Sequence, residues 1–188
     1  MLLLGSAAAA VVSAQQPPWQ LRDLLASVAV RDRAALHFEE LTCAPVLDQP
    51  LRSEGELRFV APDRLEKEVR RPRAESLILA GDELILRRGT RERRMALSAV
   101  PEAAMLAATL RAALAGDAEG LLRDWQVDLK GSHAQWSVRL MPRNPERAPW
   151  LRELRLTGSG AELRRLEIEK SDGVYSSMSL RRVAVAAP

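Results

Sequence analysis

Cysteine is almost absent from this chain of 188 residues: Cys43 stands alone. No internal disulfide can form, and Cys43 lies too far from the N-terminus to be a lipid-attachment cysteine at a mature end. Histidine is nearly as scarce. His37 and His133 are the two present, and without metal-ligand spacing or a nucleophile-elbow pattern beside them they make neither a zinc site nor a triad. Aromatic residues make up 4%, with Tyr175 the single tyrosine, which leaves no stacking platform for nucleic acid. No apolar run approaches the roughly 18 residues that span a bilayer. Charge of one sign is never concentrated in a long block: 28 basic residues are interleaved with 25 acidic ones for a net charge of +3, as in "RLEKEVRRPRAE" and "ELRRLEIEK". That pattern belongs to solvated strand faces and argues against nucleic acid as a partner.

What is present is a globular composition, 47% apolar and 28% charged, in a chain long enough to bury a core without disulfides or metals. The uncharged opening "MLLLGSAAAAVVSAQQPP" ends its apolar part in Val12-Ser13-Ala14, a small-residue pattern of the kind signal peptidase cleaves. Residues 1–14 are therefore expected to be a secretory signal, and 15–188 a single domain.

The next stretch places Leu21, Leu24, Leu25 and Val28 at helical spacing, with Pro18 suited to the first turn. After it the period becomes two. "ALHFEELTC" and "GELRFV" read as strands joined by a loop holding Pro45 and Pro50, with Leu57 and Phe59 on one face of the second. Pro62 cannot donate to a ladder and favours a turn, so Leu65 and Val69 restart the alternation on a return strand. "SLILA", the Gly81-Asp82 turn and Leu84 to Leu86 form the next hairpin, and Met95 and Leu97 follow the charged turn "RRGTRERR". The period then changes again. "PEAAMLAATLRAALAGD" has Pro101 at a helix start, Met105, Leu106, Thr109, Leu110 and Ala113 on one face, and Gly116 as a stop. "AEGLLRDW" leads back into strands bearing Trp125, Val127 and Leu129, then Trp136, Val138 and Leu140. Leu154 and Leu156 pair across Gly158 to Gly160 with Leu166 and Ile168, and Asp172-Gly173 turns the chain into a last strand with Val174, Met178 and Leu180.

A long antiparallel meander with one apolar face must hide that face. Consecutive hairpins favour one strongly curved sheet, so the expected class is α+β: an unclosed β-barrel covered by two helices lying in its mouth. Alanine buries little area, so the helix from Pro101 to Ala115 is expected to grip the sheet weakly. An acyl chain gaining ~0.8 kcal/mol per buried methylene could then compete with it.

The order of elements in "GELRFVAPDRLEKEVRRPRAESLILAGDELIL" resembles the periplasmic lipoprotein carrier LolA and its relatives. "LRAALAGD" after a Pro-led helix, "WSVRLMPRNP" and "LRLTGSGAELRRLEIEKSDG" also have counterparts in divergent members, and the likeness runs from about Trp19 to Val183. It implies an apolar cavity under a helical lid that takes the acyl chains of a lipoprotein from an inner-membrane donor and passes them to an outer-membrane acceptor. No cofactor, metal or catalytic residue comes with it, and a monomer is expected. One position departs from the family: the arginine that latches the lid, directly before the proline of the strand turn, is here Ala61.

The residues expected to line such a cavity are Leu57, Phe59, Leu65, Leu77, Leu79, Leu84, Leu86, Met95, Leu97, Met105, Leu106, Leu110, Trp136, Val138 and Leu140. Three functions share this shape: a carrier of lipoproteins, a carrier of another lipid or amphiphile, and a lipid-sensing module that reports envelope stress to a partner. An acyl-ester hydrolase is disfavoured, because a nucleophile, base and orienting acid are not found together.

Overall fold

A computed structural model of the chain describes residues 19–29, 33–146 and 148–183. The leader, residues 1–14, and Pro18 lie outside the described residues.

Eleven strands form one antiparallel sheet: β1 (Arg33–Cys43), β2 (Leu51–Val60), β3 (Arg64–Arg71), β4 (Glu75–Ala80), β5 (Glu83–Arg88), β6 (Arg91–Ala96), β7 (Trp125–Ser132), β8 (Gln135–Pro142), β9 (Leu151–Ser159), β10 (Glu162–Lys170) and β11 (Tyr175–Arg182). Their spatial order is β6-β5-β4-β3-β2-β1-β11-β10-β9-β8-β7. Every neighbouring pair but one is consecutive in the chain. The exception, β1 with β11, joins the first meander to the second through contacts such as Phe38 opposite Leu180. The edges β6 and β7 do not pair, so the barrel stays open, and the chain between them supplies the helices. The expected unclosed, helix-covered sheet is the fold observed.

Three helices lie on the concave side. Helix α1 (Leu21–Val28) buries Leu24 and Leu25, as its spacing predicts. Helix α2 (Pro101–Ala115) has proline in its first turn and ends at Gly116, whose φ of 76° is a left-handed conformation that glycine adopts at little cost. The segment "AEGLLRD", read from the sequence only as a connection, is helix α3 (Ala118–Asp124). Its N-cap is Asp117, whose carboxylate accepts from the Gly120 N–H at 2.8 Å. Two helices were expected and three are found among the described residues, because a cap and two turns suffice once Leu121 has a core to enter.

Helix α2 also differs from its expected role. It is buried on more than one side: Ala107 is 1% exposed, among the deepest residues of the core, although the sequence placed the apolar face elsewhere. Ala103, Ala104, Ala107 and Leu110 pack on Phe59, Leu65, Leu79 and Leu84. Met105, Leu106, Ala112 and Ala113 face the larger cluster on the other wall. The helix thus lies inside the trough, and alanine is what a cylinder needs to approach two walls at once. "SLILA" is explained in the same way: Leu77 and Leu79 look inward while Ile78 pairs with Ile85 on the convex side.

Candidate functional site

The concave face keeps two cavities beneath the helices. The larger, about 380 Å³, lies between α2 and the sheet; Leu57, Leu65, Leu77, Leu79, Leu84 and Leu86 wall it on one side. Leu140, Leu154, Leu156, Leu166, Ile168 and Met178 wall it on the other, and Leu106, Leu110 and Ala113 form its roof. The smaller, about 90 Å³, lies beside α1, between Leu24, Leu25, Val28, Phe59, Trp136 and Val138. Leu57, Leu65, Leu110, Ala113 and Leu156 border both, so the two are neighbouring lobes of one groove.

Of the fifteen residues chosen from sequence, Leu57, Leu65, Leu77, Leu79, Leu84, Leu86, Leu106, Leu110 and Leu140 line the larger lobe. Phe59, Trp136 and Val138 line the smaller one. Met95, Leu97 and Met105 line neither. Leu97 is not on a strand but in a single 3₁₀ turn, Leu97–Ala99, where it packs with Phe59 and Leu84; Met95 packs on the same cluster and Met105 on the opposite one. The second wall, from Leu154 to Met178, was legible as alternating strands but not as part of the site, since only the β1–β11 pairing brings it round.

Sequence reasoning also missed a polar feature of the wall. Glu40 of β1 faces inward, where it accepts from Lys67 Nζ of β3 at 2.5 Å, Ser176 Oγ of β11 at 2.6 Å and Ser53 Oγ of β2 at 3.2 Å. Burial pushes the Glu40 carboxyl upward, but the Lys67 charge and these hydrogen bonds outweigh it and hold the group below the usual carboxylate range. Lys67 lies over the Phe38 ring, 5.0 Å from its centre. Gly55 makes the close approach possible: a Cβ there would stand 1.8 Å from the Glu68 carbonyl oxygen and 3.0 Å from Phe38. The inward parity of Glu40 could have been counted from sequence; its partners on three other strands could not.

The lid has polar ties near both ends. Arg111 of α2 donates from Nε to the Asp63 carbonyl at 3.0 Å and from Nη2 to the Gly81 carbonyl at 2.8 Å. It thereby joins the helix to the β2–β3 and β4–β5 turns. Near the other end Lys170 of β10 donates to Glu102 at 3.2 Å. Between them, Trp125 Nε1 of β7 donates to Thr109 Oγ1 at 3.0 Å, and that hydroxyl donates to the Met105 carbonyl at 2.8 Å. Thr109 is therefore committed, not a free nucleophile. Neither histidine lines a lobe: His37 sits 3.8 Å from Glu39 and His133 packs edge-on against Trp19. Among the described residues no three His, Cys, Asp or Glu side chains are grouped as metal ligands. Nor is any helix there long and apolar enough to cross a membrane.

A trough open along one edge pair, roofed by a helix and carbon-lined on both walls is the geometry against which known proteins can be compared. The family model described as "Outer membrane lipoprotein carrier protein LolA-like" matches residues 7–187. The chain belongs to this LolA-like family. A comparison with curated protein sequences finds no match. Among solved structures it is similar to a LolA superfamily protein from Nitrosomonas europaea, at 10% identity and a TM-score of 0.48, covering 89% of this chain and 93% of that one. It is also similar to a lipoprotein-sorting protein domain from Vibrio parahaemolyticus, at 10% identity and a TM-score of 0.46, covering 88% and 92%. A third similarity is to the MucA/MucB complex of Pseudomonas aeruginosa, at 15% identity and a TM-score of 0.40, covering 89% of this chain and 58% of that one. Likeness at this level says nothing of what the chain binds.

Proposed function

We propose that this LolA-like protein is a periplasmic carrier. Residues 1–14 direct it across the inner membrane, and the groove takes up the acyl chains of a lipoprotein for delivery from an inner-membrane donor to an outer-membrane acceptor, without chemistry. The observation that supports this reading best is the lobe of about 380 Å³ beneath α2, within the range of ligand pockets and lined almost wholly by carbon. Half a dozen methylenes entering it would gain roughly 5 kcal/mol, enough to compete with a lid of alanines.

The lid ties support the same reading. Ala61 stands where the carriers it resembles have their latch arginine, yet an arginine still bridges lid and turn here, reaching from the helix: Arg111 binds the carbonyl of Asp63, two residues beyond Ala61. The tie is to backbone carbonyls at the rim, so it can release without leaving a buried carboxylate unpaired.

The test is uptake of a fluorescent acyl probe or a lipopeptide by the purified mature protein, followed by transfer between inner- and outer-membrane vesicles. Leu57→Glu and Leu77→Glu, at half-buried lining positions, are expected to abolish uptake while the fold survives. Absence of binding by wild type sinks the proposal. Uptake without transfer, together with a stable complex with a membrane-anchored signalling protein, replaces the carrier by a sensory module.

A further inference from the structure

The charge along the groove is graded, and the gradient bears on what the groove holds. Cross-strand partners share a face, so the registers of β2 to β6 sort the inner positions into transverse rows, each ~7 Å from the next along the strands. The first row, Phe59, Leu65, Leu79, Leu84 and Met95, is wholly apolar. The second, Leu57, Lys67, Leu77, Leu86 and Arg93, sets two leucines between two cations. The third, Gly55, Val69, Glu75, Arg88 and Arg91, is dominated by charge. Along a single wall, carbon gives way to guanidinium.

The bias of that end is basic. From Arg70 to Arg94 eight arginines stand against four carboxylates, a net of +4 where the whole chain carries +3. Arg88 is paired with Glu75 at 2.6 Å and Arg71 with Glu54. Among the described residues, no carboxylate lies within ion-pair distance of Arg91 or Arg93. Lys67 lines the large lobe itself; of its three N–H donors one goes to Glu40, and the other two meet no protein acceptor among the described residues. Leu86, beside Arg93, is 37% exposed, so the lobe opens at this row.

Resting on the acyl-binding groove of the carrier reading above, with another amphiphile in place of its lipoprotein, we infer that the cargo has an acceptor-only anionic head, a carboxylate or a phosphate, and is bound in one orientation. Its chains run toward the Leu65–Met95 row. Its head sits at the Lys67–Arg93 row, with Arg91 beyond. Guanidinium and ammonium donors pair with oxyanions through charge-assisted hydrogen bonds, and a cationic head would meet like charge there. An uncharged head would accept from Lys67 only through the weaker ion–neutral hydrogen bond.

The experiment compares binding of dodecyl phosphate, dodecanoate, dodecanol and dodecyltrimethylammonium, all below their aggregation limits, by wild type, Arg93→Ala and the paired variant Glu40→Leu/Lys67→Met. Arg93 is exposed and its loss leaves the core intact; the paired variant removes the lysine without stranding its carboxylate. Wild type is expected to bind both anions about ten-fold tighter than dodecanol. Either variant should cut that preference to within about three-fold while dodecanol binding holds, and high salt should cut it as well. Equal affinity for anion and alcohol, or equal loss of both in Arg93→Ala, overturns the head assignment and leaves the acyl pocket standing. Binding of no chain at all overturns the carrier reading and this inference with it. Inorganic phosphate binding as tightly as dodecyl phosphate would make this a free-anion site and overturn the amphiphile. Attachment to anionic vesicles with no uptake of monomeric probe would make it a membrane-docking patch and do the same.

Discussion

The two walls of the trough are built from the same alternating pattern and do different work. On the β7–β11 wall the inward positions Trp136, Val138, Leu140, Leu154, Leu156, Met178 and Leu180 are all buried, and the inner face turns polar toward its ends, at Ser176 and Lys170 and at Glu162 and Arg182. On the β2–β6 wall Leu57 and Leu77 are half-buried, Leu86 is exposed, and Lys67, Arg88, Arg91 and Arg93 share the inner face with them. Both walls border the larger lobe, and each has a buried part, on the β2–β6 side Phe59, Leu65, Leu79 and Leu84. The difference lies at the rim, where the β2–β6 wall runs out into exposed leucine and basic side chains.

That contrast can be broken most sharply at the β7–β11 wall. Leu180→Ala removes a fully enclosed side chain that borders neither lobe and should cost about 4 kcal/mol in urea unfolding. Leu77→Ala, its counterpart on the β2–β6 wall, should cost about 1 kcal/mol, yet weaken acyl-probe binding. Equal costs would show this part of the β2–β6 wall to be ordinary core.

Lys67→Met comes next, at about 3 kcal/mol at neutral pH, because it leaves the part-buried Glu40 carboxylate without a counter-charge, with only Ser53 and Ser176 to donate to it. The sign with pH follows from the two states of Glu40. In wild type its carboxyl is held below the usual range, so its contribution is complete above the pH at which an unfolded carboxylate titrates and fades as pH falls through the lowered value. In Lys67→Met burial is opposed only by the Ser176 and Ser53 hydrogen bonds, so that value rises relative to wild type. The penalty should therefore shrink on acidification from pH 7 to pH 4, and Glu40→Leu/Lys67→Met should recover most of it at pH 7. Unfolding curves at both pH values decide this.

Arg111→Ala should have the smallest effect on stability, about 1 kcal/mol for two part-buried bonds to carbonyls, with a larger one on the lid. Amide exchange in α2 should quicken and acyl-probe release accelerate. Unchanged exchange in α2 would mean that the helix is held by its packing alone.

Much of this architecture was legible beforehand. The hairpins at Pro62, Gly81-Asp82 and Asp172-Gly173, the Pro101 start and the Gly116 stop were readable because each depends on a few adjacent residues. Helix α3 was not, since seven residues with one buried leucine carry too little periodicity. Leu57, Leu77 and Leu86 border the larger lobe, as their local parity allows, whereas Met95, Leu97 and Met105 border neither lobe. Their positions depend on where α2 lies, and α2 lies inside the trough because Ala107 and Ala113 let both walls close on it.

By itself, then, the sequence determined the strands, their inward and outward faces and the punctuation between them, all set by side-chain period and by what proline and glycine allow at one position. Tertiary structure alone decided that β1 would pair with β11, that Glu40 would meet Lys67, Ser53 and Ser176, and that Arg111 would reach two turns 48 and 30 residues back. Those outcomes depend on curvature and closure, which sum over the whole sheet and are written in no single stretch of it.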